Sequence, residues 1–585
     1  MLMKDNKYHR YSKWLLTILF GMAVFLFWKL MYPYALVYQE QYQLFLFDAL
    51  YITERITLPG GAAAVLAEFF TQFYNHPTLG AAIQAVILCL IQIMVWKLMK
   101  RNLGEWLEGY SLAYAISFVP SVMLLLALGN ENILTSFQMS LLLILVAMKF
   151  YHGGKYRFIE WLLIIPLLYW ITGPLILIYA AYVMLQEMKN RSIVGLFMGL
   201  FVIVYAAICI MISGWIVLYP IRRLFVGLFY YRIVDVIPYS LIVLPIIILC
   251  IVSLQTSCFR WIATKKVFWI TICVWVLMAL GSWIALPTCY DAKTYELIEY
   301  DYLVRRHQWD AIIEKAEKQH PDLPMSVCAT NLALGMKNVL GVRAFQFYQH
   351  GTEGLLPVFE RDYTSPLLTG EAYYHLGLIN TAQRYAFETM EAIPNYNKSG
   401  RVVKRLAETN LINGQYEVAK KYLQMLSKTI FYRKWAVEIL GLIAEPEKID
   451  SHPVYGRMRQ IRLQDDFLFS EVELDKIFGQ LFMHNSSNKL AMQYLLTYPL
   501  LNRDVDNFMR YLMIVQQKVN YNPPVCQEAI AFAYMQRQQN PPAGLVSESI
   551  MQNFKRFAQV YTYAGKNSAQ LDAFKGTLWY YLMKK

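Results

Sequence analysis

Up to residue 288 the chain is a series of long runs of Leu, Ile, Val, Phe and Trp separated by short polar breaks; beyond it Lys, Glu, Gln, Asn and Asp return regularly. The first pattern predicts membrane-spanning helices, because a hydrocarbon core about 30 Å thick takes roughly 20 apolar residues in a helix. Seven runs have that character: 14–32, 78–98, 110–129, 133–148, 192–219, 238–254 and 267–287. An eighth, 158–186, is about 29 residues long and is interrupted by Thr172-Gly173-Pro174. It reads either as one tilted span or as two short half-helices meeting at the break. Residues 1–288 are thus expected to form a transmembrane domain of about eight to nine segments, with a first outer loop at 33–77. The first run exceeds the roughly 7 to 15 residues of a signal-peptide core and lacks a small-residue cleavage site, so it is expected to stay as an anchor.

Lys and Arg accumulate in short cytoplasmic loops. Lys4, Lys7, Arg10 and Lys13 put the N-terminus inside, and the loops with Lys97, Lys100 and Arg101 and with Lys149, Lys155 and Arg157 follow. The loop 33–77 is then outside, and it carries Glu40, Asp48, Glu54 and Glu68 against the single basic Arg55. If 158–186 is a broken hairpin, the preferred reading, Lys189, Arg191, Arg260, Lys265 and Lys266 fall inside and the tail lies outside. If it crosses once, those five move outside, and Arg222, Arg223 and Arg232 go inside with the tail.

From 289 to 585 the periodicity is helical, with few Gly or Pro and no sustained alternation of the kind that marks strands. The whole chain is predicted all-α. Leu378-Ile-Asn-Thr-Ala-Gln-Arg-Tyr-Ala386 matches Leu411-Ile-Asn-Gly-Gln-Tyr-Glu-Val-Ala419 in frame at an offset of 33 residues, and a weaker copy lies at 303–316. That offset, with Leu376-Gly377 and Ala382 in one unit and Leu406-Ala407, Gly414, Tyr416 and Ala419 in the next, resembles the tetratricopeptide repeat, whose period is about 34 residues. The resemblance implies a soluble helical solenoid with a concave face. A generic helical bundle with a chance match is the alternative.

Composition sharpens the picture. The 585 residues are 57% hydrophobic and only 16% charged, which excludes an ordinary soluble domain. The net charge of +13 does not point to nucleic acid, because no basic cluster is interleaved with aromatics and much of the excess flanks apolar runs. The eight cysteines form no CxxC pair, and no His pair has ligand spacing. Walker, GxGxxG, HExxH and Gly-x-Ser-x-Gly motifs are absent, so the ATPase, Rossmann, zincin and esterase readings fall away.

Candidate chemistry gathers in the loop that begins Pro33-Tyr-Ala-Leu-Val-Tyr-Gln-Glu40-Gln-Tyr-Gln-Leu-Phe-Leu-Phe-Asp48 and runs through Glu54-Arg55. Its aromatic and apolar residues predict helices lying in the membrane interface, with the acids held at membrane depth. Pro59-Gly60-Gly61 interrupts the loop before a further interfacial helix at 62–74. Glu131, in Gly129-Asn-Glu-Asn132, and Arg222, Arg223 and Arg232, in the loop 219–238, are assigned to the same side. A solvated turn for Glu131 and lipid-phosphate anchoring for the arginines are the plainer alternatives. Arg55 pairs with a nearby acid or contacts substrate.

A long acidic first outer loop, irregular spans and a soluble tail together resemble the GT-C class of membrane glycosyltransferases, which draw sugars from polyprenyl-linked donors. The resemblance implies that Glu40, about eight residues beyond the first span, acts as base, with Asp48 second. It also implies that Arg222, Arg223, Arg232, Glu131 and Arg55 contact donor phosphate or sugar. The Asp-Glu or Asp-x-Asp pair of that class is not present, since Glu40 stands between Gln39 and Gln41, so a divalent ion such as Mg or Mn stays open as cofactor. A membrane half followed by such repeats is also similar to transmembrane O-mannosyltransferases with tetratricopeptide repeats. That similarity implies a protein or peptide acceptor held by the tail. The rival expectation is a non-catalytic scaffold of a cell-envelope assembly; a transporter is disfavoured by the scarcity of ionisable residues within the spans. Short loops and a retained anchor suit a bacterial inner membrane with the tail in the periplasm.

Overall fold

In lipid every backbone polar group must be paired within its own segment, so the apolar runs become helices. The computed structural model describes residues 2–103, 110–153, 157–189, 193–233, 236–254, 264–359, 365–393, 397–464, 473–565 and 567–583. Lys155, Arg191, Cys258 and Arg260 lie outside the described residues. The fold is all-α, and among the described residues the only strand-like pairing is an isolated bridge between Ile133 and Tyr231. Two units emerge. The first is Met1–Tyr295 together with Ile393–Gly400 and Met425–Arg433, and the second is the remainder from Glu296 onward.

The first unit contains α1 (Leu2–Leu30), α2 (Pro33–Glu40), α3 (Ala49–Ile56), α4 (Gly61–Thr71), α5 (Pro77–Leu103), α6 (Tyr110–Ile116), α7 (Val119–Ala127), α8 (Thr135–Phe150), α9 (Arg157–Thr172), α10 (Ile176–Met188), α11 (Ile193–Val217), α12 (Ile221–Val226), α13 (Ser240–Val252) and α14 (Thr264–Cys289). Among the described residues five apolar stretches are long enough to cross a membrane: Ser12–Leu30, Pro77–Leu103, Arg157–Met188, Ile193–Val217 and Lys266–Cys289. Ser111–Ala127, Thr135–Phe150 and Ser240–Val252 are shorter. Large apolar side chains such as Trp215, Ile216 and Trp283 stand exposed on these helices, as lipid-facing residues do.

Length alone would make Arg157–Met188 one crossing of 32 residues, roughly 48 Å from end to end as a straight helix. Side-chain geometry shows otherwise. Arg157 Nη2 lies 3.5 Å from Glu187 Oε2, and Tyr151 Oη donates to Glu187 Oε1 at 2.6 Å. The stretch therefore folds back on itself, with its apex at Gly173, whose φ of +76° follows Thr172. Of the two readings left open by the sequence, the broken hairpin is the observed one.

This hairpin sorts the unit into two ends. At the basic end Arg101 donates to the Lys149 and Tyr151 carbonyls at 3.0 and 3.2 Å, and Lys189 Nζ to Asn102 Oδ1 at 2.9 Å. At the opposite end Gly60 N donates to the Trp170 carbonyl at 2.9 Å, Leu134 N to the Tyr230 carbonyl at 2.9 Å and Tyr290 Oη to the Leu125 carbonyl at 2.7 Å. Tyr32 stacks on Tyr290 there, with ring centroids 4.6 Å apart. The first loop, the Asn130 turn, the hairpin apex, the arginine loop and the end of α14 thus share one end.

The second unit continues with α15 (Ala292–Arg305), α16 (Trp309–Lys318), α17 (Pro324–Met336), α18 (Leu340–Arg343), α19 (Ser365–Leu376), α20 (Ile379–Ala392), α21 (Gly400–Ile412), α22 (Tyr416–Ser427), α23 (Arg433–Ala444), α24 (Glu447–Asp450), α25 (Tyr455–Ile461), α26 (Leu474–His484), α27 (Lys489–Leu501), α28 (Val505–Gln516) and α29 (Pro524–Gln536), and then further helices as far as Met583. Six of its helices end alike. His307, Asn338, Gly377, Gly414, Arg503 and Gln538 take a left-handed φ, and the next residue's N–H reaches back five positions to a carbonyl at 2.8–3.0 Å. This termination satisfies carbonyls that the helix leaves orphaned. The in-frame asparagines meet: Asn413 Nδ2 donates to Asn380 Oδ1 at 2.8 Å. The unit also closes around α27, whose Gln493 donates to the Gly335 carbonyl at 3.0 Å while Asn488 donates to the Leu376 carbonyl at 2.8 Å.

Candidate functional site

Pro33 opens α2 at its first turn, where a missing N–H matters least, and Ala35 through Glu40 are buried. The chain then turns through Gln41 and Tyr42 and runs extended to Asp48, whose side chain caps α3 by accepting from Leu50 N at 3.2 Å. Gly60, at φ +81°, starts α4, and any Cβ on Gly61 would meet the Arg55 carbonyl. These turns fold the loop into a compact layer instead of a linker.

The extended part is held from both sides. Leu44 N donates to the Lys398 carbonyl at 3.0 Å and Phe47 N to the Lys428 carbonyl at 2.8 Å, so two turns from late in the chain pair with it. Tyr432 donates its hydroxyl to Glu40 Oε1 at 3.2 Å, and Glu40 is only 4% exposed. Asp48 is ion-paired with Lys428 and holds its cap, and these two donors keep its carboxyl below the usual range. Phe431 adds an edge contact to His76, 5.3 Å between centroids.

Arg232 is the arginine that reaches Glu40's surroundings. Its guanidinium sits 4.3 Å from the Tyr42 ring centroid and 5.0 Å from that of Tyr38, and Nη2 donates to Tyr38 Oη at 3.2 Å. Tyr38 and Tyr42 stand two residues either side of Glu40, so the guanidinium packs on the two tyrosines that flank the carboxylate in sequence. Arg232 N also donates to the Asn132 carbonyl at 2.8 Å, which brings the half-buried Glu131 into the same region. Arg223 lies half-buried over Tyr219, 5.5 Å from its centroid, and Arg222 is exposed. Neither joins Glu40 in any contact described above.

Arg55 belongs to a second buried cluster. Its Nε lies 3.6 Å from Glu68 Oε2, its Nη2 bonds Asn397, and Tyr51 donates to the same Glu68 carboxylate. Burial pushes the Glu68 carboxyl above the usual range, and the Arg55 guanidinium beside it limits the rise. Phe229, 5.7 Å from Arg55, and Arg232 are three residues apart, so one short segment borders both clusters.

Around Ile133 buried polar atoms remain unpaired. Gln39 donates to its carbonyl at 3.4 Å, yet Gln39 Oε1, Asn132 Oδ1 and Tyr231 Oη find no hydrogen-bond partner among the described residues. A buried polar atom left without any partner costs roughly 1–3 kcal/mol. Among the described residues no three His, Cys, Asp or Glu side chains gather to hold a metal ion.

Sequence reasoning counted Glu68 among the acids of the first loop without making it a site candidate, and passed over Tyr432, Asn397 and Lys428. Glu68 had a signal, as the only charge in Gly61–Thr71. The other three lie in turns and carry none. No curated protein and no solved structure matches the chain. Residues 7–585 match DUF6057, described as a family of unknown function, and the chain belongs to that family.

Proposed function

We propose that the chain is a membrane glycosyltransferase of the GT-C type, moving a sugar or oligosaccharide from a polyprenyl-linked donor to a protein or lipid acceptor. The observation that carries the reading is the buried Glu40 at the end of α2, flanked by the two tyrosines that hold the Arg232 guanidinium. Transfer requires a base for the acceptor hydroxyl and positive charge for the departing phosphate. Glu40 takes the hydroxyl proton, the acceptor oxygen bonds the anomeric carbon, and the bond from that carbon to the phosphate oxygen breaks. Arg232 balances the charge left on the lipid phosphate, and Arg223 and Arg222 extend the basic surface toward the lipid. Gln39, Asn132 and Tyr231 offer unpaired polar atoms to sugar hydroxyls.

Sidedness supports the same reading. Arg101, Lys149, Arg157 and Lys189 collect at the end opposite the first loop, which the positive-inside rule assigns to the cytoplasm. Glu40 and the start of the tail then face the periplasm of a bacterial inner membrane, and the repeat-like tail holds the acceptor polypeptide there. In cells, Glu40→Gln is expected to abolish the glycan product at unchanged membrane abundance.

One observation favours the rival reading of a non-catalytic scaffold: Glu40, Asp48 and Arg55 are all engaged by Tyr432, Lys428 and Asn397, as ties of a purely structural loop would be. On that reading deletion of the whole protein changes envelope assembly, while Glu40→Gln leaves glycans as they were.

A further inference from the structure

The basic end of the first unit draws three cations to one place. Arg101, in the last turn of α5, clamps the final carbonyls of α8: Nη1 donates to Lys149 and Tyr151 at 3.0 and 3.2 Å, and Nη2 to Met148 at 3.1 Å. That clamp sets Lys149 beside the end of α5. Asn102, the next residue, accepts from Lys189 Nζ at 2.9 Å and from Gln186 Nε2 at 3.3 Å, which brings up the end of α10. Arg101, Lys149 and Lys189 are all exposed there, and Lys189 and Arg101 stand close enough to repel each other.

Among the described residues no carboxylate forms an ion pair with these three. Glu187, two residues before Lys189, is buried and turned to other partners, Arg157 at 3.5 Å and Tyr151 at 2.6 Å. Like charges held together without an acid oppose the fold unless an anion lies among them. The positive-inside rule asks only for cations near the membrane, not for three helix ends drawn to one spot. A second feature says which anion. Phe150 and Met188, next in sequence to Lys149 and Lys189, are 66% and 41% exposed. Any Cβ on Gly195 would meet the Glu187 carbonyl, so the start of α11 lies against the same end, where Ile193 is 74% exposed. Cations bordered by bare apolar surface suit a phosphate that carries hydrocarbon.

We propose that the ends of α5, α8 and α10 bind the phosphate headgroup of an anionic phospholipid, with Lys149 and Lys189 as its contacts and Arg101 as the clamp that positions them. The acyl chains lie along Phe150, Met188 and Ile193. The lipid supplies the negative charge that the chain does not, and it ties three helix ends together. The site lies at the end of the unit opposite Glu40, so it goes beyond the glycosyl-transfer reading and stands or falls separately from it.

The test is native mass spectrometry of the full-length protein in detergent, titrated with phosphatidylglycerol, phosphatidylcholine and glycerol 3-phosphate. Phosphatidylglycerol is expected to bind most tightly, because phosphatidylcholine lacks the net charge and glycerol 3-phosphate the hydrocarbon. Lys149→Gln combined with Lys189→Gln should weaken phosphatidylglycerol binding about thirtyfold, and each alone about fivefold, as two near-surface cations contribute about equally. The single variants cover the case in which the pair does not fold. Lys29→Gln removes an exposed cation at the other end of α1 and should leave the affinity unchanged. The proposal is overturned if phosphatidylcholine or glycerol 3-phosphate binds as tightly as phosphatidylglycerol, if the lysine variants of the site keep the parent's affinity, or if Lys29→Gln weakens binding as much as they do.

Discussion

Tyr432 donates its hydroxyl to Glu40 Oε1 at 3.2 Å across 392 positions of sequence. The tyrosine is itself fixed: its N–H donates to Thr429 Oγ1 at 3.2 Å, and Gly400 leaves room for the ring, since a Cβ there would lie 2.6 Å from Tyr432 Cε2. A hydrogen bond to a charged partner contributes roughly 1.5–3 kcal/mol. Tyr432→Phe should therefore lower the heat-unfolding midpoint of the purified protein, and Gly400→Ala should lower it by displacing the same ring. Combining the two should add less than the sum of their separate shifts, because both act on one contact. Full additivity would contradict this arrangement.

Arg55 and Glu68 test whether the second cluster is a matched pair. Removing one partner of a buried ion pair costs about 3–5 kcal/mol, whereas removing both is often nearly neutral. Arg55→Met is thus expected to reduce the yield of folded protein sharply, and Arg55→Met with Glu68→Gln to recover most of it. Fluorescence-detected size-exclusion profiles would show the difference. A double variant worse than Arg55→Met alone would refute the pairing.

His375 makes the second unit sensitive to acid. Burial holds its imidazole down to about 3 in the folded state, against an ordinary value of 6.5. The unfolded chain therefore binds a proton first. Stability is full above about pH 6.5 and falls by roughly 1.4 kcal/mol per pH unit below it, until the folded value is reached. Burial alone would raise Glu371, but Arg405 and Arg401 reverse this and hold it well below the carboxylate range, adding a second loss below about pH 4.5. Unfolding midpoints of His375→Leu between pH 7 and 5 should be flatter than those of the parent. An equal slope would mean that His375 is not buried neutral.

Glu528 gives the opposite slope. Burial pushes its carboxyl up to about 7, and the Leu578 N–H, 2.7 Å from Oε2, offsets only part of that effect. A raised folded value makes ionisation unfavourable, so stability is lost as pH rises from about 4.5 to 7. Glu528→Gln keeps the acceptor without the charge. It should gain roughly 2–3 kcal/mol at pH 8 and almost nothing at pH 4, seen as a midpoint difference that widens with pH.

Much of this architecture was legible in the sequence. Apolar run length marked the helices of the first unit, although among the described residues only five stretches are long enough to cross a membrane and the runs 110–129, 133–148 and 238–254 form shorter helices; Thr172-Gly173-Pro174 marked a break, and the Arg157–Glu187 pair shows that the chain doubles back there. Charge counting leaves two topologies because Lys189, Arg191, Arg260, Lys265 and Lys266 against Arg222, Arg223 and Arg232 is a small bias. The in-frame match at Asn380 and Asn413 announced a contact that forms. Asp48 had the residue type of a helix cap, a preference that competes with any catalytic role for an acid before an apolar run. Tyr432, Asn397 and Lys428 were not legible: their partners lie hundreds of residues away, and turn residues carry no periodicity that records what they will touch.

The central claim is that Glu40 removes the acceptor proton in a sugar transfer. The most direct measurement is incorporation of labelled sugar into lipid-linked and polymeric products by membranes supplied with labelled nucleotide sugars, comparing the parent, Glu40→Gln and a deletion strain, with membrane abundance measured for each. The account predicts that Glu40→Gln matches the deletion, losing the same product by at least about a hundredfold, as expected when a general base is removed. Parent-level product from Glu40→Gln at equal abundance, or a product pattern in the deletion strain identical to the parent's, would contradict it.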